Sequence, residues 1–189
     1  MKKYNNKYII AGVVIVFIVV AGVLLARGGG DEGVWKAHSE IVDATHTKYI
    51  NETLGFSLVY PSDVYLDDDA RRRSVIVTTL APDDSLRRTD AFILNSLHIA
   101  LHSETDYATF VRDYQTRSRE KDTYPDMILT ETHVATFPAV RVSYTDPFSG
   151  SPALLFIVNG VQGVFTVSYF VDADNAEIYE KILDDMIRL

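Results

Sequence analysis

Three consecutive aspartates, Asp67, Asp68 and Asp69, form the densest group of potential ligands in the chain. Carboxylate oxygens are the ligands that hard cations such as Ca²⁺ prefer, so this run is a candidate metal site. Three arginines follow at residues 71–73, and their charges would compete for the same carboxylates. We therefore expect a polar, self-paired loop over residues 67–73. If the three carboxylates bound Ca²⁺ instead, the protein would be a calcium-binding structural domain, which is one alternative function.

Histidine and serine offer other routes to chemistry. His98 and His102 are four residues apart, a spacing that on a helix would let both bind one metal. The surrounding sequence favours a strand, where four residues span about 13 Å, too far for one ion. Ser149 and Ser151 flank Gly150, but no G-x-S-x-G motif is present. A cell-envelope hydrolase with an unidentified carboxylate pair or Ser/His site is a further alternative, and we expect no resident cofactor.

The absence of cysteine and the negative charge of the chain exclude several classes of function. The chain has no cysteine, which rules out disulfides, thiolate catalysis and Cys-ligated zinc. All 26 acidic residues but only 14 of the 18 basic ones lie after Gly30, so that part of the chain carries a net charge of −12. Nucleic-acid binding needs a basic footprint for the phosphates, so we expect no nucleic-acid partner.

One aromatic side chain occupies a position that a partner could reach. Phe148 follows Pro147 in the segment 146–150, whose Asp, Pro, Ser and Gly are typical of a loop. Exposed aromatics on loops often anchor protein partners. Phe148 is therefore the candidate partner-binding residue.

The elements that must position these side chains follow from hydrophobic periodicity and turn residues. Strands are predicted over residues 49–50, 56–60, 74–80, 91–102, 128–134, 139–144, 153–158 and 164–171. Helices are predicted over 106–120 and 173–188, and a short one within 34–42. Asn159-Gly160 between two apolar runs is a strong hairpin signal. We therefore expect an α+β fold in which an antiparallel sheet of about six or seven strands is covered by helices.

The start of the sequence predicts a single transmembrane helix over residues 8–26. This uncharged run begins at Tyr8 and ends at Ala26. As a helix it would be about 28 Å long, which matches the hydrocarbon core of a bilayer. Three lysines precede it and only Arg27 follows closely, so the positive-inside rule predicts that residues 1–7 are cytoplasmic. A cleaved signal peptide is the alternative.

The remainder of the chain divides into a linker and a domain. Residues 27–48 include three consecutive glycines and are predicted to be a linker. Within them, Trp35 either lies at the membrane interface or docks on the domain. Residues 49–189 are long enough to form one extracytoplasmic globular domain with its own core.

Short motifs in this domain resemble the PsbP-like family, which includes extrinsic proteins of photosystem II and many bacterial relatives. They are YINETLGFSLVYPSDV at 49–64, FPAVRVSYTD at 137–146 and the Asn-Gly hairpin at 159–160. The resemblance implies an α/β/α sandwich around an antiparallel sheet. None of the family's metal-binding or partner-binding residues is matched here, so the resemblance implies no site.

Taken together, these features predict a membrane-tethered, non-enzymatic binding or accessory module. It would be a single-pass protein of the cell membrane with its domain on the outer side. Its expected partners are the membrane, through residues 8–26, and an envelope protein.

Overall fold

The structure is a computed structural model that describes residues 35–102, 105–120 and 123–189. A compact unit begins at Trp35. Its strands are β1 (Ala37–Ile41), β2 (His46–Asn51), β3 (Phe56–Pro61), β4 (Tyr65–Asp69), β5 (Ser74–Thr78), β6 (Ser96–His102), β7 (Ile128–Val134), β8 (Phe137–Thr145), β9 (Pro152–Asn159), β10 (Val164–Phe170) and β11 (Ile187–Arg188). Its helices are a 3-10 turn (Ser85–Arg88), α1 (Asp90–Leu94), α2 (Tyr107–Arg117) and α3 (Ala176–Asp184).

The fold is a sheet-dominated α+β arrangement with two antiparallel sheets and few helices. The larger sheet has seven strands in the order β4-β5-β6-β10-β9-β8-β7, and the smaller has the order β1-β2-β3-β11. The expectation of an antiparallel α+β fold is therefore confirmed. The second sheet is an addition, since the sequence predicts one sheet only.

Both faces of the larger sheet are covered. Adjacent residues of a strand point to opposite sides, so β8, β9 and β10 each contribute side chains to two separate hydrophobic clusters. One face, called here the inner face, packs on the smaller sheet and α3. Phe165 of β10 lies there, with its ring centroid 5.6 Å from that of Phe56 in β3. The other face, called the outer face, packs under α2, where Phe110 and Tyr114 contact a second cluster that includes Val142 and Ile157.

Several strands and α2 lie where the periodicity predicts them. The predicted helix over 106–120 is observed as α2, and the Asp106 side chain caps it by accepting a hydrogen bond from the Thr109 N–H at 2.9 Å. The hairpin after Asn159 is also confirmed. A Cβ on Gly160 would lie 2.8 Å from the Phe165 ring, so this turn requires glycine.

Four local predictions are wrong. The short helix within 34–42 is the strand β1, which fills part of the predicted linker. The predicted strand over 91–102 is α1 followed by β6, because the Thr89 hydroxyl caps a helix by accepting a hydrogen bond from the Ala91 N–H. The predicted helix over 173–188 ends at Asp184, and β11 follows. The polar loop over 67–73 is the strand β4 up to Asp69, paired with β5.

Within residues 35–102, 105–120 and 123–189, no helix combines the length and the apolarity needed to cross a bilayer. The predicted anchor at residues 8–26 lies outside the described part of the chain.

Candidate functional site

The three aspartates of the candidate metal site do not converge on one point. Asp67 pairs with the Arg87 guanidinium, and Asp68 accepts a hydrogen bond from the Trp35 indole N–H at 2.7 Å. Asp69 accepts from the backbone N–H groups of the turn that follows β4. Strand geometry sends Asp68 to the face opposite that of Asp67 and Asp69, and those two carboxylates are held by different partners. Among the described residues, no group of three or more His, Asp or Glu side chains is placed to hold a metal ion.

Asp68 instead belongs to a polar network at the junction of the two sheets. Trp35 docks on the domain, which decides between the two positions expected for it. Tyr49 lies close enough to Asp68 for its carboxylate charge to act on the phenol, and burial first, then this charge, raises the pKa of Tyr49. Asn51 completes the network, donating to the Tyr49 hydroxyl at 2.7 Å and accepting from the Leu54 N–H at 2.8 Å.

His98 and His102 are both on β6, as the strand prediction for this stretch requires, and both lie on the outer face, where His98 contacts Phe92 of α1 and His102 contacts Phe110 of α2. The His102 ring lies 4.7 Å from the Phe110 ring, and its Nε2 is 3.0 Å from the Thr166 hydroxyl. The buried Nε2 of His98 has no hydrogen-bond partner among the described residues. Burial lowers the pKa of both histidines, because it disfavours the charged imidazolium.

A third histidine sits in an exposed turn with an acid and a hydroxyl. His46 Nδ1 lies 2.9 Å from the Thr45 hydroxyl and 3.3 Å from Asp43 Oδ1. A catalytic relay needs the hydroxyl and the acid on different ring nitrogens, and here both meet Nδ1. The backbone N–H of Thr45 also donates to Asp43 and is the main reason that the pKa of this carboxyl falls to about 2. The arrangement stabilises the turn between β1 and β2.

The Phe148 loop, defined as residues 146–151 between β8 and β9, presents an exposed aromatic ring on a braced backbone. Phe148 is 70% exposed. Asp146 accepts from the Ser149 N–H at 2.8 Å and from its hydroxyl at 2.7 Å. The loop closes through a bond from the Asp146 N–H to the Ser151 carbonyl at 2.9 Å, and Gly150 provides the positive φ of 75°.

This loop and the β2–β3 turn, which Lys36 contacts, lie at opposite ends of β9. The Phe148 loop precedes Pro152 at the start of β9, an eight-residue strand that spans about 26 Å. At the far end of β9, Val161 contacts Gly55, which adjoins the β2–β3 turn. Lys36 bonds to that same turn through Glu52 and the Thr53 hydroxyl. Lys36 therefore lies towards the end of β9 that is away from Phe148.

A cleft of about 280 Å³ opens on the inner face, between α3 and the strands β7, β8 and β9. Sequence reasoning did not identify it. Leu154 and Phe156 line it from the sheet, Leu183 lines it from α3, and Ala135 lines it from the β7–β8 hairpin. Ala135 has a φ of 50°, a left-handed conformation that is uncommon for a residue other than glycine.

Charged groups of both signs line this cleft. Arg141 extends from β8, and Glu180 and Asp184 extend from successive turns of α3. Tyr169 lies between them and donates its hydroxyl to Glu180 Oε1 at 3.3 Å. Burial and then the negative charge of Glu180 raise the pKa of Tyr169, whereas the Arg141 charge opposes that rise. In the described part of the chain, neither Arg141 nor Asp184 takes part in an ion pair.

Comparison with known proteins gives little further information. No family model matches the chain, and no curated protein matches it. A Bacteroides thetaiotaomicron protein, known from a crystal structure at 1.50 Å resolution, is 14% identical with a TM-score of 0.42. The match covers 75% of this chain and 48% of that one, so this chain spans about half the length of that protein. A likeness at this level supports no statement about function.

Proposed function

We propose that the protein is a membrane-tethered, non-enzymatic binding module that engages an envelope protein through the Phe148 loop. The observation that carries this proposal is a phenyl ring, 70% exposed, on a loop that internal hydrogen bonds already hold in shape. Residues 8–26 would serve as the single-pass anchor, with the domain outside the cell membrane.

The energetics of such a contact favour a docking role. Full burial of a Phe side chain contributes about 1.5–3 kcal/mol. A loop that must be ordered on binding loses part of this gain to conformational entropy, whereas a preformed loop keeps it. The bonds that Asp146 makes within the loop reduce that cost before any partner arrives.

The proposal includes a PsbP-like arrangement for the domain. What supports it is α2 on the outer face of the larger sheet and α3 on its inner face, as an α/β/α sandwich requires. The smaller sheet beside α3 is an elaboration that the motifs at 49–64 and 137–146 do not predict.

Photo-crosslinking on intact cells tests the proposal. A photoreactive phenylalanine analogue is placed at position 148 of the full chain, and at position 41 as the control. Ile41 is 83% exposed and lies in the smaller sheet, so it matches Phe148 in exposure but not in place. We expect one discrete adduct with an envelope protein from position 148 and none from position 41. Equal labelling from both positions, or none from 148, would refute docking through this loop.

The proposed topology needs its own measurement. A tag after Leu189 should stay with the membrane fraction and be removed by protease added outside the cells. A protected tag would reverse the orientation. Release of the tag in a shorter soluble form would support a cleaved signal peptide.

A further inference from the structure

We propose that the cleft between α3 and the inner face binds a small α-amino acid with an apolar side chain. This site is distinct from the Phe148 loop and goes beyond the proposed docking function. The geometry that points to it is the presence of a cation, two anions and an apolar floor in one depression of about 280 Å³.

Arg141 would recognise the carboxylate of the ligand. A guanidinium can hold a carboxylate through two parallel N–H···O bonds, which gives both affinity and orientation. Arg141 is exposed on β8, and within the described residues it is not engaged by any acidic side chain. Its donors are therefore available to a ligand without breaking an existing ion pair.

Glu180 and Asp184 would recognise the ammonium group. They are four residues apart on α3, so they lie on one side of the helix above the cleft. The Tyr169 hydroxyl donates to Glu180 Oε1 and orients that carboxylate, while the other oxygen of Glu180 stays open to a donor. Two carboxylates with one fixed hydrogen bond form a site that favours a cation over a neutral group.

The remaining wall suits an apolar side chain. Leu154 and Phe156 on β9 and Leu183 on α3 line the cleft between the charged groups. A cleft of about 280 Å³ is at the small end of ligand pockets, which favours a single amino acid over a long peptide. A free amino acid carries the two charges on groups bonded to the same carbon, and a peptide interior carries neither.

Isothermal titration of the full chain in detergent micelles tests this site with L-leucine as the probe. N-acetyl-L-leucine lacks the ammonium group, and L-leucinamide lacks the carboxylate. We expect saturable binding of L-leucine, and affinity at least about tenfold lower for each derivative, because each leaves a charged group of the site without a partner. Equal affinity for all three compounds, or no saturable heat with L-leucine, would overturn the proposal.

Variants locate the binding heat in the cleft. Arg141→Ala and Glu180→Gln should each weaken L-leucine binding by at least about tenfold. The matched control is Asp185→Asn, which alters an exposed carboxylate on the same helical segment that pairs only with Lys181. All three positions are exposed, so melting temperatures should stay close to that of the parent chain. Unchanged binding in Arg141→Ala would place the ligand elsewhere and refute this site.

Discussion

Asn51 should be among the most sensitive positions of the domain, because its side chain is fully buried and satisfies two neighbours at once. Its exposed fraction is 0%, its amide donates to the Tyr49 hydroxyl, and its carbonyl accepts from the Leu54 N–H. Asn51→Ala removes both bonds and leaves the buried Leu54 N–H without its partner. The lost bond to Tyr49 contributes about 1 kcal/mol, and the Leu54 N–H left unsatisfied costs about 1–3 kcal/mol. We expect the free energy of unfolding to fall by about 2–4 kcal/mol.

Thermal unfolding followed by tryptophan fluorescence measures this loss of stability with a probe close to the substituted residue. Trp35 is the only tryptophan in the chain, and it bonds to Asp68 beside Tyr49. For a chain of this size the expected loss corresponds to a fall in melting temperature of about 6–12 °C.

The control for this experiment is Asn159→Ala, at an exposed asparagine on the β9–β10 hairpin. It should change the free energy of unfolding by no more than about 0.5 kcal/mol. An effect of Asn51→Ala as small as that of the control would show that these two buried bonds do not stabilise the domain.

Three further predictions concern other parts of the domain. The pKa values of His98 and His102 are lowered on folding, so the unfolded chain binds more protons, and the free energy of unfolding should fall as pH drops below about 6.5. Chemical denaturation at pH 8 and pH 5 measures this fall. Replacing both histidines by Gln should remove their contribution to the difference in unfolding free energy between the two pH values. Gly55→Ala should destabilise the domain by about 1–3 kcal/mol, because φ is +76° and the new Cβ would lie 3.0 Å from Val161, and unchanged melting would refute this strain. Phe148→Ala should leave the melting temperature unchanged within about 1 °C, since the ring is exposed, and a larger fall would mean that the ring packs on the domain.

Local patterns were sufficient where an element's stability depends on its own periodicity. The apolar runs of β8, β9 and β10 and the apolar face of α2 each depend on neighbouring residues, and these elements lie close to the predicted bounds. The strand β6 likewise separates His98 from His102, as the spacing along a strand predicts. Phe148 lies in an exposed loop, because Pro147 and Gly150 favour a turn whatever the rest of the chain does.

Local patterns failed where pairing partners decide the structure. Aspartate has low strand propensity, yet three aspartates, Asp67, Asp68 and Asp69, extend β4. They do so because β5 provides backbone hydrogen bonds along this stretch. Residues 37–41 show a weak helical pattern, yet every one of them pairs with a residue of β2. The helix predicted to begin at residue 173 starts only after Asn175, whose side chain donates to the Thr79 hydroxyl and makes no cap bond.

The sequence by itself determined the charge, the lack of cysteine chemistry and the antiparallel α+β class, because each depends on composition or on short-range periodicity. The anchor over residues 8–26 stays a prediction. Only the tertiary structure decided that Trp35 docks on Asp68 and that Arg141, Glu180 and Asp184 line one cleft. These groups come from segments far apart in the chain. Their proximity depends on the order in which strands pair, which a local pattern does not encode.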